Sequence, residues 1–415
     1  MTANVFLGAQ RVGRLVPPDG AGGRVSFSFD EEYLDLERRP TLSRSFEDLD
    51  PEADRSFVSE TNMLPSFFAN ALPEGALEKV LKARLRHSPL VDYEMLLRLG
   101  ADLPGNVRVV REDWAWSPEA EPDEGATSQL QDETDPLRFS LAGVQLKASV
   151  LAEAERVTPP LVGEAGNWIA KFPSTAFRDL PENELTLLRW ARLAGLDVPD
   201  HRLVEVDAIQ NLPAEFPRGG RALLVHRYDR AAGAGRIHQE DFAQVFGVEP
   251  PDKYISDDLP AGANHAGLGA LVRHLCGESD FREYVRRLAF VVLSGNADAH
   301  LKNWSLVYPD GIHARLSPLY DVVSTVAYPS IGAALALGLA EPPDAYDLRP
   351  VPLTAVTFAD FRRLADRAGE PADDIEADVK TFVERARAAW PRVRDDAPDI
   401  VREAVDAHLE KTALR

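Results

Sequence analysis

The stretch Leu293–Leu306, LSGNADAHLKNWSL, follows the apolar run AFVV and returns to apolar residues at Trp304 and Leu306 after a short polar interval. A buried lead-in that ends in Ser-Gly and then presents Asp298, His300, Lys302 and Asn303 reads as a loop anchored at both ends. Asp298 and Asn303 stand in the pattern D-x-x-x-x-N, and another acid, Asp321, follows within RLSPLYDVVS. Spacing of this kind is weak on its own, because acids and amides commonly cap helices or solvate loops.

Neighbouring segments give the pattern weight. A carboxylate to position or deprotonate a hydroxyl, with an amide oxygen and a second carboxylate for a hard cation, is the inventory of phosphoryl transfer. The order Asp, four residues, Asn, then a downstream Asp is that of the catalytic loop and metal-binding acid of protein kinases. Upstream, NWIAKFP places Lys171 at the end of an apolar strand, before a helix that begins near Glu182 and Glu184. This is the layout of the kinase strand lysine and its nearby helix, although a lysine at a strand end is more often simply solvated. Earlier still, RFSLAGVQLK reads as a strand, a turn at Gly143 and a basic end at Lys147, whose backbone N–H groups could form an anion nest; by itself it is a hairpin. Neither G-x-x-x-x-G-K-[ST] nor a true G-x-G-x-x-G is present, so the P-loop and Rossmann readings lose their main support.

The rest of the chain predicts an α+β architecture. NVFLGAQRVGRLV and VSFSFDEEYL read as three strands, and MLPSFFANALPEGALEKVLKARLRHS carries apolar residues at helical spacing. DYEMLLRLGADLPGNVRVV then reads as a helix closed near Gly100 and a strand, so residues 1–110 form a first α+β unit. Residues 111–136 are acidic, hold three prolines and lack periodicity, and read as a linker or excursion. Residues 137–230 carry further strand candidates and the helix ENELTLLRWARLAG, while residues 231–415 are mostly helical and end in three amphipathic segments.

Bulk properties narrow the function classes. A chain of 415 residues predicts two or three packed units. A formal net charge of −21 argues against a global attraction to nucleic acid or an anionic membrane. The single cysteine, Cys276, allows no intrachain disulfide and fits a reducing cytosol. No basic n-region followed by an apolar stretch opens the chain, and runs such as SIGAALALGLA from Ser330 are too short to span a bilayer. A cytoplasmic protein is expected.

Taken together, FFANALPEG, LGADLPGNV, SLAGVQLK, WIAKFP, ENE, HRYDR, HQEDFAQ, GNADAHLKN and LSPLYDVVS resemble, in order and along nearly the whole chain, the HipA-type serine/threonine kinase toxins. The resemblance implies a protein-kinase-like two-lobed fold, with an additional N-terminal α+β subdomain and a mostly helical C-terminal lobe. It implies ATP and Mg²⁺ as cofactors, Asp298 as catalytic base, and Asn303 and Asp321 as metal ligands. It assigns Lys171 to the ATP phosphates, and Leu141, Ala142, Gly143, Val144, Gln145, Leu146 and Lys147 to the phosphate loop. His226 and Tyr228 would meet adenine, Asp229 and Gln239 would lie near the ribose, and His300, Lys302 and Tyr320 would line the site, with His300 also among the catalytic group. His226 departs from the acidic hinge residue of the best-known member. Ser140 matches the serine at which the family autophosphorylates. The implied partners are a HipB-like helix-turn-helix antitoxin, which carries the DNA contact, and an aminoacyl-tRNA synthetase substrate, with glutamyl-tRNA synthetase the first candidate. Phosphorylating it would stall translation and produce growth arrest or persistence.

Two other readings compete. GNADAH is similar to a metallophosphoesterase motif, but no G-D-x-x-D segment supplies the further ligands that such a centre needs. A catalytically inactive kinase fold that serves only as partner of a DNA-binding antitoxin is opposed by competent residues at every candidate catalytic position.

Overall fold

Strand alternation builds the first sheet. In β1 (Ala3–Leu7) every second residue is buried, and Gly8, at φ +62°, lets the chain reverse into β2 (Gln10–Val16). With β3 (Ser26–Phe29), β4 (Ser56–Val58) and β5 (Val107–Arg111) these form an antiparallel sheet of order β4-β3-β2-β1-β5. The helices Ser66–Asn70 and Val91–Leu99 contribute Phe67, Phe68, Met95 and Leu96 to its core, where Phe27 lies 5.2 Å from Phe68 and 5.5 Å from Phe46. Aromatic pairs at such spacing add to plain burial.

The computed structural model describes residues 1–18, 23–46, 56–58, 64–75, 78, 82, 85, 90–113, 146–153, 156–158, 166–212, 216–231, 235–256, 259–339 and 350–415. These divide into two compact units. The first holds Met1–Pro173, Val204–Pro250 and Tyr308–Ile312, and the second Ser174–Leu203, Pro251–Val307 and His313–Arg415.

A second sheet has the order β7-β6-β8-β10-β9, from β6 (Lys147–Glu153), β7 (Arg156–Thr158), β8 (Trp168–Lys171), β9 (His201–Glu205) and β10 (Arg221–His226). Its core gathers Val150, Ala170, Phe172, Phe216 and Leu224. Strand β11 (His238–Asp241) then enters the short helix Phe242–Val245 through a capping box between Asp241 and Gln244. Inward residues of HQEDFAQ tie this segment to the N-terminal part of the unit. The buried Glu240 carboxylate accepts from Ser43 Oγ at 2.6 Å and Tyr308 Oη at 2.5 Å, and His238 Nε2 bonds the Leu42 carbonyl at 2.8 Å.

Helices dominate the second unit. Leu180–Leu193 buries Trp190 between Phe290 and Trp390, at ring distances of 5.0 and 4.7 Å, and the indole N–H donates to the Ala386 carbonyl at 2.7 Å. The tail read as three amphipathic segments folds into Phe358–Ala368, Ala372–Ala389, a turn at Pro391–Arg394, and Asp399–Lys411. The apolar run from Ser330 is not helical over its described residues. Leu335 and Leu337 are buried, while the carbonyls of Ala336, Gly338 and Leu339 accept from Ile255, His265 and Ala266. Among the described residues no helix is long and apolar enough to cross a membrane.

Candidate active site

The opening stretch is shaped first by how its helix stops. Glu278–Ser294 ends at Gly295, whose φ of +68° is left-handed and whose N–H donates to the Val292 carbonyl at 3.3 Å. A Cβ on Gly295 would stand 2.4 Å from Val326 Cγ2, so the close approach also requires glycine. Thr325 Oγ1 donates to the Gly295 carbonyl at 3.0 Å and accepts from the Ala297 N–H at 2.7 Å. Asn296 Oδ1 accepts from the Asp298 N–H at 2.9 Å, a local turn that delivers Asp298 out of the apolar segment.

Asp298 and Asn303 then close one turn. The Asp298 carbonyl accepts from the His300 N–H at 2.8 Å and from Asn303 Nδ2 at 2.7 Å, and the Asn303 N–H donates to the His300 carbonyl at 2.9 Å. The apolar residues between are buried, with Leu301 fully enclosed and the Trp304 ring 4.9 Å from Tyr284. His300 and Lys302 are buried, whereas Asp298 and Asn303 stay half-buried. Tyr254 Oη donates to Asp298 Oδ1 at 2.7 Å, and its ring meets His300 edge-on at 4.9 Å.

Asp321 reaches the same unit by another route. It sits at φ +50°, one of the left-handed non-glycine positions, and the preceding Tyr320 donates its hydroxyl to the Lys302 carbonyl at 2.9 Å. Buried Asn183, in the ENE segment, holds the chain just beyond. Its Nδ2 donates to the Ser324 carbonyl at 3.1 Å and its Oδ1 accepts from the Ser324 N–H at 2.9 Å. The donor types are those a hard cation takes. The Asn303 amide NH₂ donates to the Asp298 carbonyl, so its amide oxygen is the end that would meet a cation, and Asp321 would offer a carboxylate. Among the described residues no group of three or more His, Cys, Asp or Glu forms a closed cage. Mg²⁺ suits such a set, since it binds through one or two protein oxygens and completes its shell with phosphates and water.

The first unit carries the other candidates. Lys147 and Lys171 are directly opposite in the antiparallel pair of β6 and β8, so their side chains share one face of the sheet. Both are largely buried, which concentrates positive charge where the two strands meet. Half-buried His226 is opposite Trp168, ring centroids 5.2 Å apart and edge-on. Leu146 packs on both hydrophobic cores of this unit. Ser140, Leu141, Ala142, Gly143, Val144 and Gln145 lie outside the described residues.

Asp229, placed by resemblance near the ribose, is employed differently. Its Oδ1 accepts from Arg227 Nε at 3.0 Å, and its Oδ2 accepts from Arg227, Arg230 and the Gly105 N–H at 2.7–2.8 Å. Burial alone would raise its carboxyl, but the Arg227 and Arg230 guanidiniums hold it well below the usual carboxylate range. Asp102 joins them, 3.1 Å from Arg227 and 2.7 Å from Arg230. LGADLPGNV and HRYDR are thus one buried charge network within this unit. Gly105, at φ +74°, lets the backbones close up, because a Cβ there would stand 2.8 Å from the Gln239 nitrogen. Half-buried Tyr228 and Gln239 are carried on this scaffold.

Sequence reading missed four residues that shape the site: Asn183, Tyr254, Asn296 and Thr325. Asn183 had a signal, as the polar centre of ENE in an otherwise apolar helix face, and Asn296 directly precedes the turn. Tyr254 and Thr325 carried none.

An α+β fold with a strand lysine, an Asp/Asn turn and a downstream Asp has the features of kinase-like proteins. Residues 139–390 match the HipA-like C-terminal domain and residues 3–110 the HipA N-terminal domain. The chain therefore belongs to the HipA family of kinase toxins. It is 37% identical to a Sinorhizobium fredii protein named "Putative kinase Y4dM", over 94% of this chain and 93% of that one. It is 25% identical to the serine/threonine-protein kinase toxin HipA of Shewanella oneidensis, over 76% of each chain. Its fold is similar to a chain in the structure of the Shewanella oneidensis MR-1 toxin–antitoxin system HipA, HipB and operator DNA. That match has a TM-score of 0.71 at 19% identity and covers 99% of this chain and 96% of the other.

Proposed function

We propose that this protein is an ATP- and Mg²⁺-dependent serine/threonine protein kinase that acts as the toxin of a toxin–antitoxin pair. The observation that carries the reading is the turn that joins Asp298 to Asn303 through a 2.7 Å hydrogen bond, with Tyr320 tying the Asp321 segment to Lys302. Asp298 orients the acceptor hydroxyl and accepts its proton as the acceptor oxygen bonds to the γ-phosphorus and the bond to ADP breaks. Asn303 and Asp321 would hold Mg²⁺, which would supply charge neutralisation at the phosphates. Lys171, beside Lys147, draws the phosphates by charge, and His226 and Tyr228 border the adenine, with Gln239 nearer the ribose. His300 and Lys302 shape the loop from within, being largely buried.

The substrate is a protein hydroxyl, and an aminoacyl-tRNA synthetase, glutamyl-tRNA synthetase first, is the target the family suggests. A HipB-like antitoxin is the partner, and DNA is reached through it. Ser140 is the autophosphorylation site. A phosphate there adds roughly −1.5 to −2 of charge beside the phosphate loop and opposes ATP binding. Intact mass after incubation with ATP tests this directly, and an unmodified Ser140 while substrate is labelled refutes it. A phosphoesterase reading would need a ligand cluster that is not found among the described residues.

Asp298→Ala is expected to lower phosphate transfer roughly a hundredfold or more while the protein still folds and binds ATP. Transfer to labelled protein and growth arrest on expression are the readouts, and a variant that retains both refutes the assignment. Phosphoproteomics of cells expressing wild type and this variant identifies the substrate.

A further inference from the structure

Tyr254, in the second unit, has no part in the proposed chemistry. It is 38% exposed, yet its hydroxyl lies 2.7 Å from Asp298 Oδ1. Its placement is built in on both sides. The carbonyl of the preceding, buried Lys253 accepts from the Leu301 N–H at 3.2 Å, inside the Asp298–Asn303 turn. The following Ile255 N–H donates to the Ala336 carbonyl at 2.8 Å. The ring stands edge-on to His300, at 4.9 Å and 89°, so rotation about its side chain is restricted by a buried neighbour. A surface tyrosine with a chance contact would have none of these constraints.

A general base works only in the orientation that meets its acceptor, and the terminal torsion of a carboxylate is broad. A hydroxyl donor held at one oxygen narrows the orientations that Asp298 takes. We infer that Tyr254 is a positioning residue for the phosphoacceptor step: its hydroxyl holds Asp298 in the working orientation, and its exposed ring forms part of the surface the acceptor chain contacts. This rests on the kinase reading above and deepens it, because it assigns acceptor-side function to a residue outside the catalytic motif.

The test uses the full chain with Tyr254→Phe and Tyr254→Ala. Phosphate transfer to dephosphorylated casein and to the chain itself is followed, together with ATP binding and the thermal midpoint. Tyr254→Phe removes only the hydroxyl and keeps the half-exposed ring, so folding and ATP affinity are expected unchanged. Its kcat is expected to fall roughly tenfold, the order for losing one hydrogen bond to a charged group, with KM for ATP and for casein unaltered. Tyr254→Ala is expected to lose the same kcat and in addition to raise KM for casein. A Tyr254→Phe kcat equal to wild type overturns the positioning role. A kcat above wild type overturns it too, because the hydroxyl would then be competing with the acceptor. Tyr254→Ala with KM for casein unchanged overturns the contact role of the ring. Wild type that binds no ATP and transfers no phosphate overturns the kinase reading itself, an outcome distinct from equal activity in wild type and variant.

Discussion

At the scale of single residues, burial decides which charges are structural. Arg227 and Asp229 have side chains only 1% and 6% exposed, and each satisfies the other. Removing Asp229 leaves two buried guanidiniums, Arg227 and Arg230, to share the carboxylate of Asp102, and loss of such a partner costs about 3–5 kcal/mol. Asp229→Ala is therefore expected to lower the unfolding free energy by about that amount, measured by urea denaturation. A ribose-binding carboxylate would instead affect nucleotide affinity with little change in stability. His265 gives a second expectation. Burial pushes its imidazole down to about 3, with the ring nitrogen Nδ1 2.9 Å from the Tyr284 hydroxyl. The unfolded chain, with an ordinary value near 6.5, binds a proton that the folded form refuses. The contribution is fully present above about pH 6.5 and is lost progressively as pH falls toward 3, with about 2 kcal/mol gone by pH 5. His265→Gln should flatten the fall in thermal midpoint between pH 7 and pH 5.

Elements act by where they stop and what they grip. The helix Glu278–Ser294 delivers the loop only because Gly295 accepts a left-handed φ and leaves room for Val326. Gly295→Ala is expected to destabilise the protein by roughly 1–3 kcal/mol and to displace Asp298. Phosphate transfer should then fall more than ATP affinity, and a variant with wild-type transfer would show that the cap does not set the loop. The helix Leu180–Leu193 has a comparable duty toward Asp321. Asn183 fixes Ser324 from both sides, three residues past the acid, across a part of the chain the sequence keeps far apart. These dependencies were only partly legible. Asp298, Asn303, Asp321 and Lys171 stand out because polar groups interrupt apolar runs, and interruption is a one-dimensional signal. Tyr254 and Thr325 sit in unremarkable stretches, and their roles exist only through partners 44 and 28 residues away.

For the whole molecule, net charge bears on the proposed pairing with a DNA-binding antitoxin. A net charge of −21 opposes binding of the chain alone to a phosphate backbone, so under the proposed function operator binding would require the antitoxin. Anisotropy of a labelled operator duplex is expected to change with the toxin–antitoxin mixture and not with this chain by itself at any salt concentration. Binding by the isolated chain that weakens with salt would reveal a basic patch hidden in the acidic total.

The sequence by itself determined the α+β class, the first three strands, the helical tail and the order of the chemistry-bearing residues. Those properties follow from periodicity, turn residues and local interruptions, which act over a few neighbours. Tertiary structure alone decided that HRYDR and LGADLPGNV share one buried ion network and that Asp229 serves it. It alone decided that Lys147 and Lys171 face each other across two strands, and that an exposed tyrosine holds the acid at the centre of LSGNADAHLKNWSL. Partner choice for a buried charge or a hydroxyl depends on which distant segment folds against it, and no local pattern encodes that distance.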